Sequence, residues 1–174
     1  MTMTSCPRAP RKVRSVFISD VHLGFYGCSA GFLLQFLRSV ECDHMYLVGD
    51  IIDIWAMKKR PHWPQAHNDV IRTVLGKAKH GTRVIFIPGN HDELLRQYDG
   101  MAFGNVEVRR RAIHTQPDGK RLLVLHGDEF DSVVRHSRLL ARVGSSAYEC
   151  LLRANTIVNT IRRRLGFPYW SLAA

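Results

Sequence analysis

The sequence predicts an α/β fold that opens with parallel strands, turns to an antiparallel element and closes with a helical region. Three observations carry this. Short apolar runs alternate with helix-spaced apolar residues between positions 13 and 87, an Asp-Gly pair separates two apolar segments near position 118, and residues 132–165 contain no proline. Strand alternating with helix is the pattern of parallel strands joined by right-handed crossovers.

Taken in order, the apolar run 13–18 ends at Ser19-Asp20 and reads as a buried strand. Residues 30–40 then place Phe32, Leu33, Phe36, Leu37 and Val40 at helical spacing, and 45–48 is a second short strand that stops at Gly49-Asp50. Pro64 suits the first turn of a helix reaching Lys79, with Val70, Val74 and Leu75 inward. A third strand, 82–87, stops at Pro88-Gly89-Asn90. Segments 106–114 and 122–125 flank Pro117-Asp118-Gly119, a hairpin signal. In 132–165, Leu139, Leu140, Val143, Leu151 and Leu152 recur three and four apart around Gly144, which predicts two helices with a break at the glycine.

A chain of 174 residues fits one domain with a core of its own. No uncharged apolar run approaches the roughly 18 residues of a membrane span, and the N-terminal residues lack the apolar segment of a secretory signal, so a cytoplasmic protein is expected. The four cysteines, Cys6, Cys28, Cys42 and Cys150, are too scattered for a structural zinc site and read as free thiols. The net charge of +10 is terminal: residues 1–14 hold four basic groups and no acid, 15–132 balance, and 133–174 hold seven arginines against Glu149. Such an asymmetry suits a polyanion or an anionic membrane surface, and equally a solvated basic face.

The chemistry lies in where polar residues fall. Each strand of the first half ends in carboxylates, imidazoles or a carboxamide: Asp20-Val21-His22, Asp50-Ile51-Ile52-Asp53, Asn90-His91-Asp92, and His126-Gly127-Asp128 after the hairpin. Ligands of such sheets bind beyond the carboxyl ends of the parallel strands. Asp20 and His22 flank one residue, so on an extended segment both can meet one ion. Oxygen and nitrogen donors without thiolate suit Mn, Fe(II) or Zn. The spacing assigns one ion to Asp20, His22 and Asp50 and a second to Asp50, Asn90 and His126, with Asp50 bridging; a water acidified by the pair would attack phosphorus in line. His91 and Asp92 read as a catalytic pair, the imidazole serving phosphoryl charge or the leaving oxygen and the carboxylate raising its basicity. Asp53 reads as a helix cap or a support behind the ligands, Asp128 as an acceptor fixing the His126 loop, and Asp131 as a cap for the next helix. The remaining imidazoles, His44, His62, His67, His80 and His114, read as surface or core groups.

S-D-V-H-L-G, G-D-I-I-D, G-N-H-D and H-G-D-E-F-D, in this order, resemble the calcineurin-like metallophosphoesterase superfamily. The resemblance implies a two-layer β-sandwich flanked by helices, two divalent metals on Asp20, His22, Asp50, Asn90 and His126, and His91 facing the scissile phosphate with support from Asp92. It divides the chain into a basic tail 1–14, a metallophosphoesterase core 15–131 and a helical cap insert 132–174. The insert resembles that of the UDP-2,3-diacylglucosamine pyrophosphatases of lipid A synthesis. This implies a lipid-linked nucleotide substrate, manganese, and a peripheral place at the inner membrane, with nucleic acid an unlikely partner. Arg111, Arg135, Arg138 and Arg142 could clamp a diphosphate. That subfamily often carries arginine where His91 stands. The superfamily pattern also closes with a G-H-x-H loop, absent from these residues, where only His136 follows His126; a truncated chain without the last strands is therefore expected. Another phosphoesterase acting on nucleotides or nucleic acid, and a metal-free binding module, remain alternatives. Trp55 to Trp63, with Lys58, Lys59 and Arg60 between, reads as a solvated loop, a nucleic-acid patch, a substrate lid or a lipid-headgroup contact. The 139–158 stretch either packs helix on helix or cradles acyl chains.

Overall fold

The computed structural model describes residues 9–130 and 138–165, the latter with side chains from 144 onward. They fall into two compact units divided between His126 and Gly127. Cys6, Asp131, Arg135 and His136 lie outside the described residues, as do the side chains of Arg138 and Arg142.

The first unit is built on a five-stranded sheet. Strands β1 (Arg11–Ile18), β2 (Val40–Val48), β3 (Arg83–Ile87), β4 (Ala102–Phe103) and β5 (Val106–Val108) lie in the order β1-β2-β3-β5-β4. All neighbouring pairs are parallel except β4 with β5. The crossovers run through α1 (Ala30–Ser39) and, between β2 and β3, α2 (Ile54–Lys59) and α3 (Gln65–Lys79). A separate antiparallel hairpin joins β6 (Ala112–Thr115) to β7 (Arg121–Val124).

The alternation of side chains along β2 and β3 explains why both read as continuous apolar runs. Met45, Leu47, Val84 and Phe86 enter the core beneath the helices, with Leu37 of α1 and Val70, Val74 and Ala78 of α3. Tyr46, Ile85 and Ile87 point the other way and close a smaller core with Ala112 and Val124 of the hairpin. A strand covered on both faces has no polar side to show. Each large aliphatic residue so buried contributes roughly 1.5–3 kcal/mol.

Several boundaries differ from the sequence reading. Arg11, Lys12 and Arg14 belong to β1 rather than to a tail, because pairing begins at Arg11 opposite Val40. The expected single strand 106–114 is two strands in different layers. Three consecutive arginines, 109–111, cannot be buried between them; Arg109 instead approaches Glu107 at 3.4 Å and the Arg110 N–H reaches the Asp99 carboxylate. The Asp-Gly turn forms as read, with Gly119 at φ +83°. Helix α2 and the 3-10 turn Glu93–Tyr98 were not anticipated.

The second unit opens with the 3-10 turn Gly127–Glu129 and contains α4 (Arg138–Arg164). Two helices broken at Gly144 were expected, whereas α4 runs through it. A helical glycine costs about 1 kcal/mol relative to alanine, which 27 residues of helix absorb. Among the described residues no helix is long and apolar enough to cross a membrane.

Candidate metal centre

Past the carboxyl ends of β1 and β2 the backbone pairing continues into the loops. The Asp20 N–H donates to Gly49 O (3.1 Å), His22 to Asp50 O (2.8 Å), Leu23 to Ile51 O (2.8 Å), and Asp53 back to Leu23 O (2.7 Å). The Gly49 N–H in turn donates to Ile87 O at the end of β3 (2.7 Å). Three strand ends are thereby locked in register, and their side chains converge.

Asp20, His22 and Asp50 sit at φ +54°, +54° and +55°, and among the described residues they are the only non-glycine positions with positive φ. The left-handed conformation costs an L residue roughly 1–2 kcal/mol. Strain of this kind persists where the surroundings over-determine it, and it clusters at functional sites. Here it falls on three of the five residues the sequence assigned to metal.

Two sets of donors come together. Donor atoms of Asp20, Asp50 and His126 lie within 4.8 Å of one another, and so do those of His22, Asp53 and His91. Asp50 Oδ2 stands 4.0 Å from His22 Nε2 and 4.0 Å from His126 Nε2. At about 2.1 Å per bond, two donors on one ion can be no more than about 4.2 Å apart. Asp50 is therefore near enough to share an ion with either histidine, while its Oδ1 accepts the His91 N–H (2.9 Å). The half-buried Asn90 follows Gly89 on the same loop.

Two glycines make this approach possible. A Cβ on Gly49 would stand 2.1 Å from His126 Cδ2, and one on Gly89 would stand 2.3 Å from Asp50 Oδ1. A glycine directly before each of two ligands is a sequence signal of close approach.

The second set is not a third ion site of the same kind, because its atoms are joined to each other. Asp53 caps α2, its Oδ1 accepting the Ala56 N–H (2.7 Å), and its Oδ2 pairs with His22 Nδ1 (3.0 Å). His22 thus turns Nε2 toward Asp50 with Nδ1 held by a carboxylate, the usual support for a ligating imidazole. Asp53 Oδ1 also lies 3.0 Å from His91 Nδ1, but out of line for a hydrogen bond, and among the described residues that buried nitrogen has no hydrogen-bond partner. Burial pushes the Asp53 carboxyl up, yet hydrogen bonds from His22 and the Ala56 N–H, with the close approach of the His91 imidazole, outweigh it and hold the group well below the usual carboxylate range. Burial pulls His22 down, and Asp53, Asp50 and Asp20 together bring it above an ordinary histidine.

Asp92 does something other than support His91. It is fully buried and accepts the N–H groups of Ile51 (2.9 Å), Ile52 (3.2 Å) and Gly89 (2.6 Å), tying the second loop to the third. Burial, with Asp50 nearby, raises its carboxyl above the ordinary range against those three donors. The carboxylate beside His91 is Asp53, and the catalytic pairing read for Asp92 gives way to a structural one. His91 itself lies against Trp55 (ring centres 4.6 Å, 35° between planes) and edge-on to His22 (4.6 Å, 89°).

The other assigned residues are more dispersed. Arg111 is exposed between β5 and β6. Arg138 and Arg142 lie on α4, and Asp128 lies in the turn Gly127–Glu129, all in the second unit. His67 is a core group whose Nδ1 accepts the Gly24 N–H (3.0 Å), and Trp63 packs edge-on against it. The described residues fit a divalent cation: carboxylate and imidazole donors at ion-sharing distances, glycine cradles a Cβ would fill, and strain confined to the ligands.

The calcineurin-like phosphoesterase family profile matches residues 13–159. A UDP-2,3-diacylglucosamine hydrolase of Photorhabdus laumondii subsp. laumondii is 30% identical over 118 residues, 66% of this chain and 48% of that protein. One of Blochmanniella pennsylvanica is 30% identical over 117 residues, 65% of this chain and 46% of that protein. The chain spans about half the length of these curated relatives. A crystal structure of Pseudomonas putida nuclease MPE aligns at 22% identity with a TM-score of 0.33, over 55% of this chain and 46% of that one, too little to bear on function.

Proposed function

The chain belongs to the calcineurin-like phosphoesterase family, and from that premise we propose that it is a metal-dependent phosphohydrolase of the UDP-2,3-diacylglucosamine diphosphatase kind. The observation that carries the reading is Asp50 at 4.0 Å from both His22 and His126. Asp20, His22 and Asp50 would hold one divalent ion and Asp50, Asn90 and His126 a second, with manganese the metal best suited to this oxygen-rich set. When bound, the ions supply Lewis acidity toward a phosphoryl group and lower the pKa of a water near neutrality. Asp53 fixes the His22 tautomer and lies behind His91, whose imidazole is placed to stabilise phosphoryl charge or hold a proton for the leaving oxygen. The products are UMP and a lipid monophosphate. Arg111 is the group of the first unit proposed to hold the diphosphate, at the cytoplasmic face of the membrane.

The test is UMP release from UDP-2,3-diacylglucosamine in detergent micelles with Mn, alongside metal analysis, using Asp50→Asn as control. Micelle-dependent UMP release abolished in D50N supports the reading. Cleavage of a nitrophenyl diester without UMP release replaces the substrate, and a chain that binds no metal at saturation refutes the proposal.

A further inference from the structure

We propose that Trp55 is the positioning residue for His91, its indole face setting the plane of the imidazole. The inference rests on the function proposed above for His91 and adds what holds that ring in place.

A histidine that must present one nitrogen to substrate is usually fixed by a hydrogen bond at the other. His91 lacks that anchor: Nδ1 is buried, 3.0 Å from Asp53 Oδ1, but not aligned with it. What confines the ring is a slot between two aromatic groups. Trp55 lies across one face at 4.6 Å and 35°, and His22 meets it edge-on at 4.6 Å and 89°. Since Nδ1 of His22 is held by Asp53, that wall of the slot is fixed. The indole wall is fixed as well, because Trp55 stands in the first turn of α2, which Asp53 caps, and the Ile54 N–H donates to the His91 carbonyl (3.2 Å). Trp55 and His91 are thus carried by one hydrogen-bonded unit, and the half-buried indole is the part of it that touches the imidazole face. Removing the indole opens one side of the slot while leaving the cap, the latch and the ligands in place. A displacement near 1 Å in a reacting group costs about 10²-fold in rate.

Trp55→Leu and Trp55→Phe separate the roles, because phenylalanine restores a flat face and leucine does not. The expected result is a kcat 10- to 100-fold lower in W55L, with KM within twofold and metal content unchanged, and recovery of most of the loss in W55F. Wild-type kcat in W55L, equal loss in both variants, or a change confined to KM overturns the proposal. A second measurement needs no turnover: in the metal-free protein, the His91 C2 proton, assigned through His91→Gln, is shifted upfield by the indole ring current. That shift disappears in W55L and remains in W55F. An unshifted proton in the wild type, or one that does not move in W55L, overturns the arrangement. A chain with no phosphohydrolase activity would refute the function of His91 instead and leave this spectral result standing.

Discussion

Replacing Gly89 by alanine adds one methyl group at the point where the second and third loops meet. The new carbon would lie 2.3 Å from Asp50 Oδ1, 2.7 Å from the Asp50 backbone nitrogen and 2.9 Å from His126 Nδ1, where ordinary contact begins at 3.4 Å. The Asp50 carboxylate must therefore retreat by roughly 1 Å, and the backbone contact means that side-chain rotation alone cannot relieve the clash. Gly89 is not in the left-handed region, so alanine itself pays no conformational penalty there, and the effect is steric. Overpacking of this kind costs about 1–3 kcal/mol of stability. The larger consequence falls on the ions, because Asp50 is the residue within reach of both histidines; displacing it should weaken Mn binding by one to two orders of magnitude. Titration calorimetry with Mn gives affinity and stoichiometry, and urea unfolding in EDTA gives stability separately. Gly81→Ala is the control: its φ of +104° makes alanine costly, but a Cβ there meets open space. G81A should lose stability and keep both ions. Wild-type affinity and stoichiometry in G89A would refute the bridging role assigned to Asp50.

Asp53→Asn, which leaves one side of the carboxylate facing His22 or His91 with an amide, should lower Mn affinity about 10- to 100-fold, measured by competition with a chelating dye. Asp92→Asn turns an amide toward one or more of three backbone donors, so it should cost about 2–3 kcal/mol in urea unfolding under EDTA; an unchanged midpoint would show that Asp92 does not tie the loops. Burial depresses both His67 and His114, the latter helped by His44 and Arg14, so each is favoured neutral in the fold. The unfolded chain then binds more protons below about pH 6.5, and the stability these two contribute is complete above that value and lost as pH falls through it. His22 is raised and acts in the opposite sense, which is why the check is a difference: the fall in urea midpoint between pH 7.5 and 5.0 should shrink in His114→Gln.

What was legible in the sequence were the features that depend on local pattern. The runs at 45–48 and 82–87 announced strands covered on both faces, and the core residues behind that pattern are Met45 and Leu47 on one side, Tyr46 on the other. The donors were legible because each stands within four residues of a strand's end. Less legible was anything decided by what comes alongside. The alternation of residues 106–114 is the same whether one strand or two are made of it, and only the three arginines hinted at the break. Gly144 looked like a helix end because a propensity of about 1 kcal/mol is visible in a sequence while the length of helix that absorbs it is not. Asp92 was misread for a related reason: adjacency to His91 suggested partnership, but consecutive side chains in a tight loop diverge, and its carboxylate went to two N–H groups of the second loop and one of its own.

The division of labour between Asp53 and Asp92 follows from what each carboxylate can reach. Asp92 is fully buried among backbone donors, so its charge is spent on holding the ends of two loops together and none of it faces the donors of the ion sites. Asp53 is also buried but meets only one backbone donor, and its remaining capacity is directed at two imidazoles. The left-handed turns at Asp20, His22 and Asp50 cost roughly 1–2 kcal/mol apiece. Glycine would relieve that cost at any of the three and remove a ligand in doing so. A polar residue kept in a conformation that glycine would hold more cheaply is hard to explain by folding alone, and easy to explain if its side chain is needed where it points.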